Sequence, residues 1–175
     1  MPEWPGLRTP DLRAGGVLST AGLLVGYNAA TQPGSTAWPA ANRAIFVPIR
    51  LGYPATVYKL VIGGGTTAAG NFDVGIYDAS GNKLVSSGAT AKSASVEHIL
   101  DITDTVIGPG LYYLALAADG TNNYVAWVPP APAIQNARLL GILQAATSYT
   151  LPATVTFAAC TSGYLPAIAA YLRPY

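Results

Sequence analysis

Charged side chains are scarce in this chain of 175 residues, at 10% of the sequence against about 25% in an ordinary soluble domain. Nine Lys and Arg residues against eight Asp and Glu residues leave a formal net charge of +1. The chain therefore lacks the basic excess of a nucleic-acid-binding protein, and we predict no nucleic-acid partner. Because 51% of the residues are hydrophobic, a disordered chain is also excluded.

Cysteine and long apolar runs are also lacking. The single Cys160 excludes an intramolecular disulfide, and we expect it to be a small buried residue rather than a reactive thiol. The longest apolar stretch near the N-terminus, residues 15–26, is about half as long as the roughly 20 residues of a membrane-spanning helix. The first six residues hold an early acid and two prolines, unlike a secretory signal peptide. We therefore predict no membrane partner.

Short β-branched and aromatic runs, separated by glycine and proline, make up most of the remaining sequence. Such runs recur with turn signals at a spacing of roughly 8–12 residues, which favours an antiparallel β-sandwich. We predict an all-β fold, a sandwich or jelly roll of about eight strands, over residues 38–175. Residues 1–37 are rich in glycine and proline and lack a sustained periodicity, so they are predicted to form an extended N-terminal arm.

Three local features add detail to this fold. Because proline cannot donate a ladder hydrogen bond, Pro48 predicts that its run is an edge strand or carries a break. In residues 55–62, strict alternation predicts that Val57 shares a face with Lys59 and Val61. The helix-like stretch 134–146 is interrupted by Gly141, so the sequence leaves open whether it forms a turn or two of helix or a loop.

No pattern in the sequence predicts a catalytic residue. A nucleophile needs a neighbouring base, but His98 is the only histidine and no Gly-x-Ser-x-Gly motif is present. A zinc site would need more ligands than one His and one Cys. We therefore predict no metal site, no cofactor and no enzyme activity.

The carboxylates have structural interpretations. Asp73 and Asp78, five residues apart in a strand, would lie on opposite faces and could not act together. Asp78 is expected to form an Asx-type hairpin turn, because the calcium-loop alternative lacks its final glutamate. Asp101 and Asp104 are expected to accept hydrogen bonds from backbone amides near a strand end, with a bound cation as the alternative.

Aromatic residues are the remaining candidates for binding. Rings on an exposed sheet face could stack on sugars, and the alternative is a place in the core or in a subunit interface. A ring in the proline-rich arm has little core of its own, so it is expected to dock into a partner. The candidates for glycan stacking are Tyr112, Tyr113, Tyr124 and Trp127, and those for docking are Trp4, Leu7 and Leu12.

Several stretches together resemble a group of structural proteins of tailed bacteriophages. The resemblance covers residues 38–128, and its motifs are the Val-Gly-Ile-Tyr-Asp hairpin and the Tyr-Tyr-Leu-Ala-Leu strand. It implies a β-sandwich, no catalytic residue, and a role as an ornament or adhesion part of a virion. The stretches are WPAANRAIFVPIR (38–50), NFDVGIYDASGNKLVSSG (71–88), DITD (101–104) and GPGLYYLALAADGT (108–121).

Composition and resemblance lead to one functional hypothesis. Scarce charge with abundant Ala, Tyr and Pro suits large subunit contacts, so we expect an obligate assembly, and for a phage structural protein of the kind the chain resembles we expect a homotrimer. The chain would be a non-enzymatic virion protein, assembled in the host cytoplasm, that decorates or cements the capsid. Its partners would be itself and the major capsid protein or other virion proteins. Residues 1–37 would dock it, so their deletion should leave a folded domain that no longer binds particles.

Three alternatives stay open at this point. The chain could belong to a tail fibre or baseplate. It could instead be a carbohydrate-binding module that attaches to a cell-surface glycan through the four aromatic candidates. A small enzyme with a site shared between subunits is the third alternative.

Overall fold

Strands make up most of the residues described by a computed structural model, which are 16–20, 33–94, 97–127 and 133–175. Every strand pair in these residues is antiparallel, which confirms the predicted all-β class. The described elements are β1 (Gly16–Ser19), β2 (Pro33–Ala37), β3 (Arg43–Leu51), β4 (Ala55–Gly63), β5 (Asn71–Asp78), β6 (Lys83–Ser86), β7 (Thr90–Ala91), β8 (Glu97–Ile107), β9 (Gly110–Ala118), β10 (Asn123–Trp127), α1 (Ala133–Leu139), β11 (Leu143–Ala146), β12 (Ala158–Ala159), β13 (Leu165–Pro166) and β14 (Ile168–Pro174).

These strands form three sheets. The four-stranded sheet has the order β1-β14-β4-β8, and the three-stranded sheet has the order β13-β10-β2. The seven-stranded sheet has the order β12-β11-β3-β9-β5-β6, with β7 also paired to β5. The strand count in the described residues exceeds the predicted eight, partly because β7, β12 and β13 have only two residues each. A jelly-roll connectivity stays a prediction.

The main core lies between the four-stranded and the seven-stranded sheets. Alternate residues of each strand point into it, as expected for a sandwich in which each sheet has one buried face. Burial of one such side chain contributes about 1.5–3 kcal/mol, so this layer is the main source of stability. Its central members are Ile45, Val47, Leu60, Ile62, Val74, Ile76, Leu114, Leu116, Ile168 and Ala170.

A second apolar cluster covers the opposite face of the seven-stranded sheet. Phe46 packs there edge-on against Phe157, with the ring centroids 5.0 Å apart. The carboxylate of Asp73, which is buried, accepts the Leu151 N–H at 2.9 Å, and the Tyr77 hydroxyl donates to the Pro152 carbonyl at 2.5 Å. The segment 147–157 is thereby held against the sheet, whose central strands are buried on both faces.

Parts of the predicted arm 1–37 belong to the sheets. β1 pairs with β14 and β2 pairs with β10, and the buried Thr20 hydroxyl donates to the Pro166 carbonyl at 2.9 Å. The boundary between an arm and a domain at residues 37 and 38 is therefore wrong for these two strands. Deletion of residues 1–37 would remove an edge strand from each of two sheets, so it cannot serve as a clean test of docking. The rest of the arm, with Trp4, Leu7 and Leu12, lies outside the described residues.

The prediction for Pro48 is confirmed for the second half of β3. β11 pairs only with the residues from Arg43 to Phe46, whereas β9 pairs along the whole of β3. Among the described strands, β3 therefore has a neighbour on one side only at Pro48, where a missing N–H costs no ladder hydrogen bond.

The alternation predicted for β4 is wrong at Val57. Relative to β14, Tyr58 is an extra residue between Val57 and Lys59, and the pairing register with β8 shifts at the same place, where residues 102–104 lie opposite Tyr58. Val57 is consequently buried in the core with Leu60, while Lys59 and Val61 remain together on the other face.

The predicted Asx turn is confirmed, and the stretch 134–146, which the sequence left open, holds a short helix followed by strand β11. α1 has seven residues and ends where Gly141 adopts φ 73°, a left-handed conformation that commonly ends helices. In the β5–β6 hairpin, Oδ1 of Asp78 accepts the N–H groups of Ser80 and Asn82, both at 2.9 Å. Hydrogen bonds, first of all from the Asn82 side chain, lower the pKa of Asp78.

We predict that Gly81→Ala destabilises the chain by about 3 kcal/mol, because the variant adds a clash to backbone strain. Gly81 has φ 86°, and an added Cβ would lie 2.3 Å from the Val155 carbonyl oxygen. Gly88 is the matched control, since its φ of 71° is similar but no atom lies within 4 Å of an added Cβ. Gly88→Ala should cost only about 1 kcal/mol. Urea denaturation measures both, and equal losses would contradict the prediction.

Candidate interaction surface

The residues with catalytic potential make structural contacts. His98 packs its ring against Phe72 at 5.0 Å between centroids, and its Nε2 accepts the Ser93 N–H at 3.2 Å. Cys160 is buried, as predicted, and burial raises the pKa of its thiol. Within the described ranges, no three His, Cys, Asp or Glu side chains are placed to hold a metal ion. No helix in the same ranges is long and apolar enough to cross a membrane.

Asp101 and Asp104 differ from the expectation. β8 continues through both residues instead of ending beside them, so their side chains face neighbouring strands and not free amides. Asp101 pairs with Lys59 of β4 at 3.3 Å, and Asp104 pairs with Arg173 of β14. Both acidic groups are therefore neutralised by cations of the same sheet.

The tyrosines predicted to stack on glycans do not share a surface. Tyr112 and Tyr113 are consecutive in β9, and one packs against the main core while the other packs against the second cluster. The Tyr112 hydroxyl donates to the Gly108 carbonyl at 3.0 Å. The Tyr113 ring lies against Phe157, with the centroids 4.7 Å apart. These two rings cannot contact one sugar chain together.

Tyr124 is a core residue and not a surface platform. Its side chain is 1% exposed, and its ring makes edge contacts with Trp38 at 5.5 Å and with Phe72 at 6.2 Å. The Lys92 ammonium lies 5.1 Å from the ring centroid. Burial raises the pKa of Tyr124. The glycan-stacking expectation for Tyr124 is therefore wrong, because no ring face is open to a ligand.

Trp127 is described only by its backbone. It ends β10, where it pairs with Leu165 of β13 and Pro33 of β2. Its side chain lies outside the described part of the structure, so the glycan-stacking prediction for this residue stays a prediction.

The side of the four-stranded sheet that faces away from the core carries exposed residues, and at its Gly63 end it meets Val125 of the three-stranded sheet. We call this surface the outer face. Two rows of side chains cross all four strands, and each row takes one residue from each strand in hydrogen-bonding register. The rows are Val17–Tyr171–Lys59–Asp101 and Ser19–Ala169–Val61–Ile99.

Large apolar side chains are exposed on the outer face. Val17 is 59% exposed and Ile99 is 51% exposed, and Val106, farther along β8, is 53% exposed. Tyr58 and Tyr171 lie beside each other at 6.4 Å between ring centroids. Val17 and Ile99 lie on the two edge strands, β1 and β8, with the tyrosine pair between them, so apolar groups are spread across the width of this face, as in many interaction sites.

Four of the charged residues on the outer face form two ion pairs, and the exposed Glu97 adds a further carboxylate. Lys59 pairs with Asp101, and Arg173 pairs with Asp104, while the Arg173 guanidinium also lies 5.7 Å from the Tyr58 ring centroid. A surface of aromatic and aliphatic groups with paired charges presents no strong field of either sign. It therefore suits contact with protein better than contact with a polyanion.

Sequence reasoning missed this surface, although a signal was present. Residues 97–103 alternate, and the alternation places Ile99 on the same face as Glu97 and Asp101. An isoleucine on the charged face of a strand is the pattern that indicates an exposed apolar site.

Comparison of the chain with models of protein families, with curated proteins and with solved structures found no match.

We predict that Tyr124→Phe leaves the free energy of unfolding unchanged or raises it by up to about 1 kcal/mol. The buried Tyr124 hydroxyl has no hydrogen-bond partner among the described residues, so its removal relieves a desolvation cost. Tyr164→Phe is the matched comparison, because the Tyr164 hydroxyl donates to the Thr36 carbonyl at 3.1 Å. This variant should lose about 1–2 kcal/mol. Urea denaturation measures the free energy of unfolding of both variants. A larger loss for Tyr124→Phe than for Tyr164→Phe would contradict the prediction.

Proposed function

We propose that this chain is a non-enzymatic structural protein of a tailed-bacteriophage virion, and that it decorates or cements the assembled capsid. The observation that carries the proposal is the outer face, a sheet surface with exposed apolar groups and paired charges suited to protein contact. The resemblance of residues 38–128 to phage structural proteins supplies the class of assembly. The proposed site of assembly is the host cytoplasm.

Composition supports a role in protein contact. A chain with 10% charged residues has less charge to spread over its surface than an ordinary domain has. Depletion of charge and enrichment in aromatic residues are features of interface centres. A protein whose surface is covered by other subunits in an assembly can have few charged and many aromatic residues there without aggregating.

The proposed mechanism of cementing is mass action. A ligand that binds the assembled shell and not its separated subunits stabilises the shell in proportion to its binding free energy. No reacting group is required for this effect. The proposal divides the contacts between two parts of the chain, with Trp4, Leu7 and Leu12 docking onto the particle and the sandwich contacting other subunits.

The test is co-sedimentation of the purified full-length chain with heads assembled without it. Wild type should bind to saturation, and replacement of Trp4, Leu7 and Leu12 by alanine should weaken binding at least about tenfold, as expected for an aromatic anchor. Leu84→Ala is the matched control, because Leu84 is an exposed apolar residue of β6 in the other large sheet. This variant should bind like wild type.

Three results would contradict the proposal in different ways. Binding restricted to tails would assign the chain to a fibre or baseplate. Binding to isolated host glycans and not to particles would favour the carbohydrate-binding alternative. Full binding by the triple alanine variant would refute the docking role of the three residues.

A further inference from the structure

We infer that residues 11–13 of this chain bind, within the same chain, to a groove between β1 and the second half of β3. They would pair with the free edge of β3 as an added antiparallel strand, and the Leu12 side chain would be buried in the groove. The groove has a volume of about 530 Å³, and its lining includes Leu18 of β1 and Ile49 and Arg50 of β3. The inference goes beyond the proposed function, because it concerns a contact inside one chain.

The groove lies between two strand edges that each have a free side. Among the described strands, β1 is the last in its sheet and pairs with β14 only. β3 loses its second neighbour after Phe46, because β11 pairs with residues 43–46 while β9 alone pairs with the rest. Unpaired backbone groups at a strand edge can bind another extended segment. The groove is therefore a place where one more strand fits the fold.

The backbone of β3 directs hydrogen-bonding groups into this groove. On the β11 side, the Thr147 N–H donates to the Asn42 carbonyl at 2.9 Å, just before β3 begins. The two-residue period of a strand then turns the backbone groups of Pro48 and Arg50 toward the same side. Pro48 has no N–H, so the Arg50 N–H and the carbonyls of both residues are the groups that an added strand would bind.

The core side of the groove is apolar. Ile49 is 7% exposed and belongs to the main core. Leu18 packs against the same core and is only partly buried. An aliphatic side chain between them would cover both, and removal of apolar surface from water favours this contact.

The N-terminal segment is attached at the groove. Gly16 begins β1, and Leu18, two residues later, already lines the groove. Leu12 is the first large apolar residue before Gly16. At about 3.3 Å per residue, an extended chain brings Leu12 within about 13 Å of Gly16. Gly15 and Gly16 allow the chain to change direction between Leu12 and β1.

Alternation and charge select the register of the added strand. Residues 11–13 contain no proline, so each can donate a backbone hydrogen bond. Antiparallel pairing of Leu12 with Ile49 places Asp11 opposite Arg50. Arg50 is exposed and belongs to neither of the two ion pairs between described residues, so a carboxylate beside it is favourable. The same register places Arg13 opposite Pro48, whose carbonyl can accept its N–H.

This contact gives Leu12 a role different from that of the other two docking candidates. Trp4 and Leu7 come earlier in the segment and would remain available to the particle. Leu12 would contribute to docking indirectly, by holding the segment that carries Trp4 and Leu7 against the sandwich.

The first test is hydrogen exchange of single backbone amides in the full-length chain, measured by NMR. The Arg50 N–H should exchange slowly in wild type, because it donates to the added strand. Leu12→Asp should speed this exchange at least about tenfold, since the variant would place a carboxylate beside Ile49. The Ile49 N–H faces β9 and is the internal control, which should stay protected in both chains.

Leu7→Asp is the matched control variant. It makes the same replacement in the same N-terminal segment, at a residue that the inference leaves outside the groove. Its Arg50 N–H should exchange at the wild-type rate.

The second test is a disulfide trap that identifies which chain supplies the segment. Asp11→Cys combined with Arg50→Cys should form a disulfide, because Cα atoms of opposite residues in such a pair are about 5.5 Å apart. The product should keep the mass of one chain on a non-reducing gel. Asp11→Cys combined with Leu84→Cys should stay reduced, since Leu84 is exposed on β6, away from β3 in the same sheet. The buried Cys160 should not compete.

Four results would overturn the inference. They are fast exchange of the Arg50 N–H in wild type, equal exchange of this group in wild type and Leu12→Asp, an equal acceleration by Leu7→Asp, and no disulfide between positions 11 and 50. A disulfide that joins two chains would also overturn it, because the segment would then bind the groove of a neighbouring copy. Neither experiment contains particles, so each outcome is independent of the proposed function.

Discussion

Coverage of sheet faces is the constraint on which the rest of this structure depends. The central strands of the seven-stranded sheet are buried on both sides, by the main core and by the segment 147–157 that Asp73 and Tyr77 hold in place. Among the described residues, the four-stranded sheet is covered on its core side, and on its other side it meets the three-stranded sheet where Gly63 lies against Val125. Since an antiparallel sheet can leave one face to solvent, this arrangement is stable in a single chain. It also leaves Val17 and Ile99 exposed on the outer face, where a partner protein could cover them.

The chemistry of the outer face follows from the scarcity of charge in the chain. Few charged residues are available, and four of those on this sheet form pairs between strands, Lys59 with Asp101 and Arg173 with Asp104. Exposed pairs of this kind contribute little to stability, but they remove the local field and fix where opposite charges lie. The surface is consequently better suited to specify the register of a protein contact than to attract a charged ligand or to perform acid–base chemistry.

Local chemistry in the sequence was sufficient to predict part of the fold. The Asp78 turn, the free edge at Pro48 and the burial of Cys160 each depend on properties of one residue and its immediate neighbours. The strand Gly16–Ser19 could not be predicted in this way, because its partner β14 lies about 150 residues further along the chain. The burial of Tyr124 was missed for a related reason, since Trp38 and Phe72 come from distant strands. Strict alternation placed Val57 on the same face as Lys59, which is wrong because the β-bulge at Tyr58 interrupts the alternation between them.

The most direct test of the central claim is a cryo-electron microscopy map of the assembled virion at a resolution that separates strands. The account predicts that the chain is part of the particle and that another protein chain lies against the outer face, with Ile99 covered. A map in which the chain is present but β4, β8 and β14 present this face to solvent would contradict the assignment of the contact. Absence of the chain from the particle would contradict the proposed class of protein.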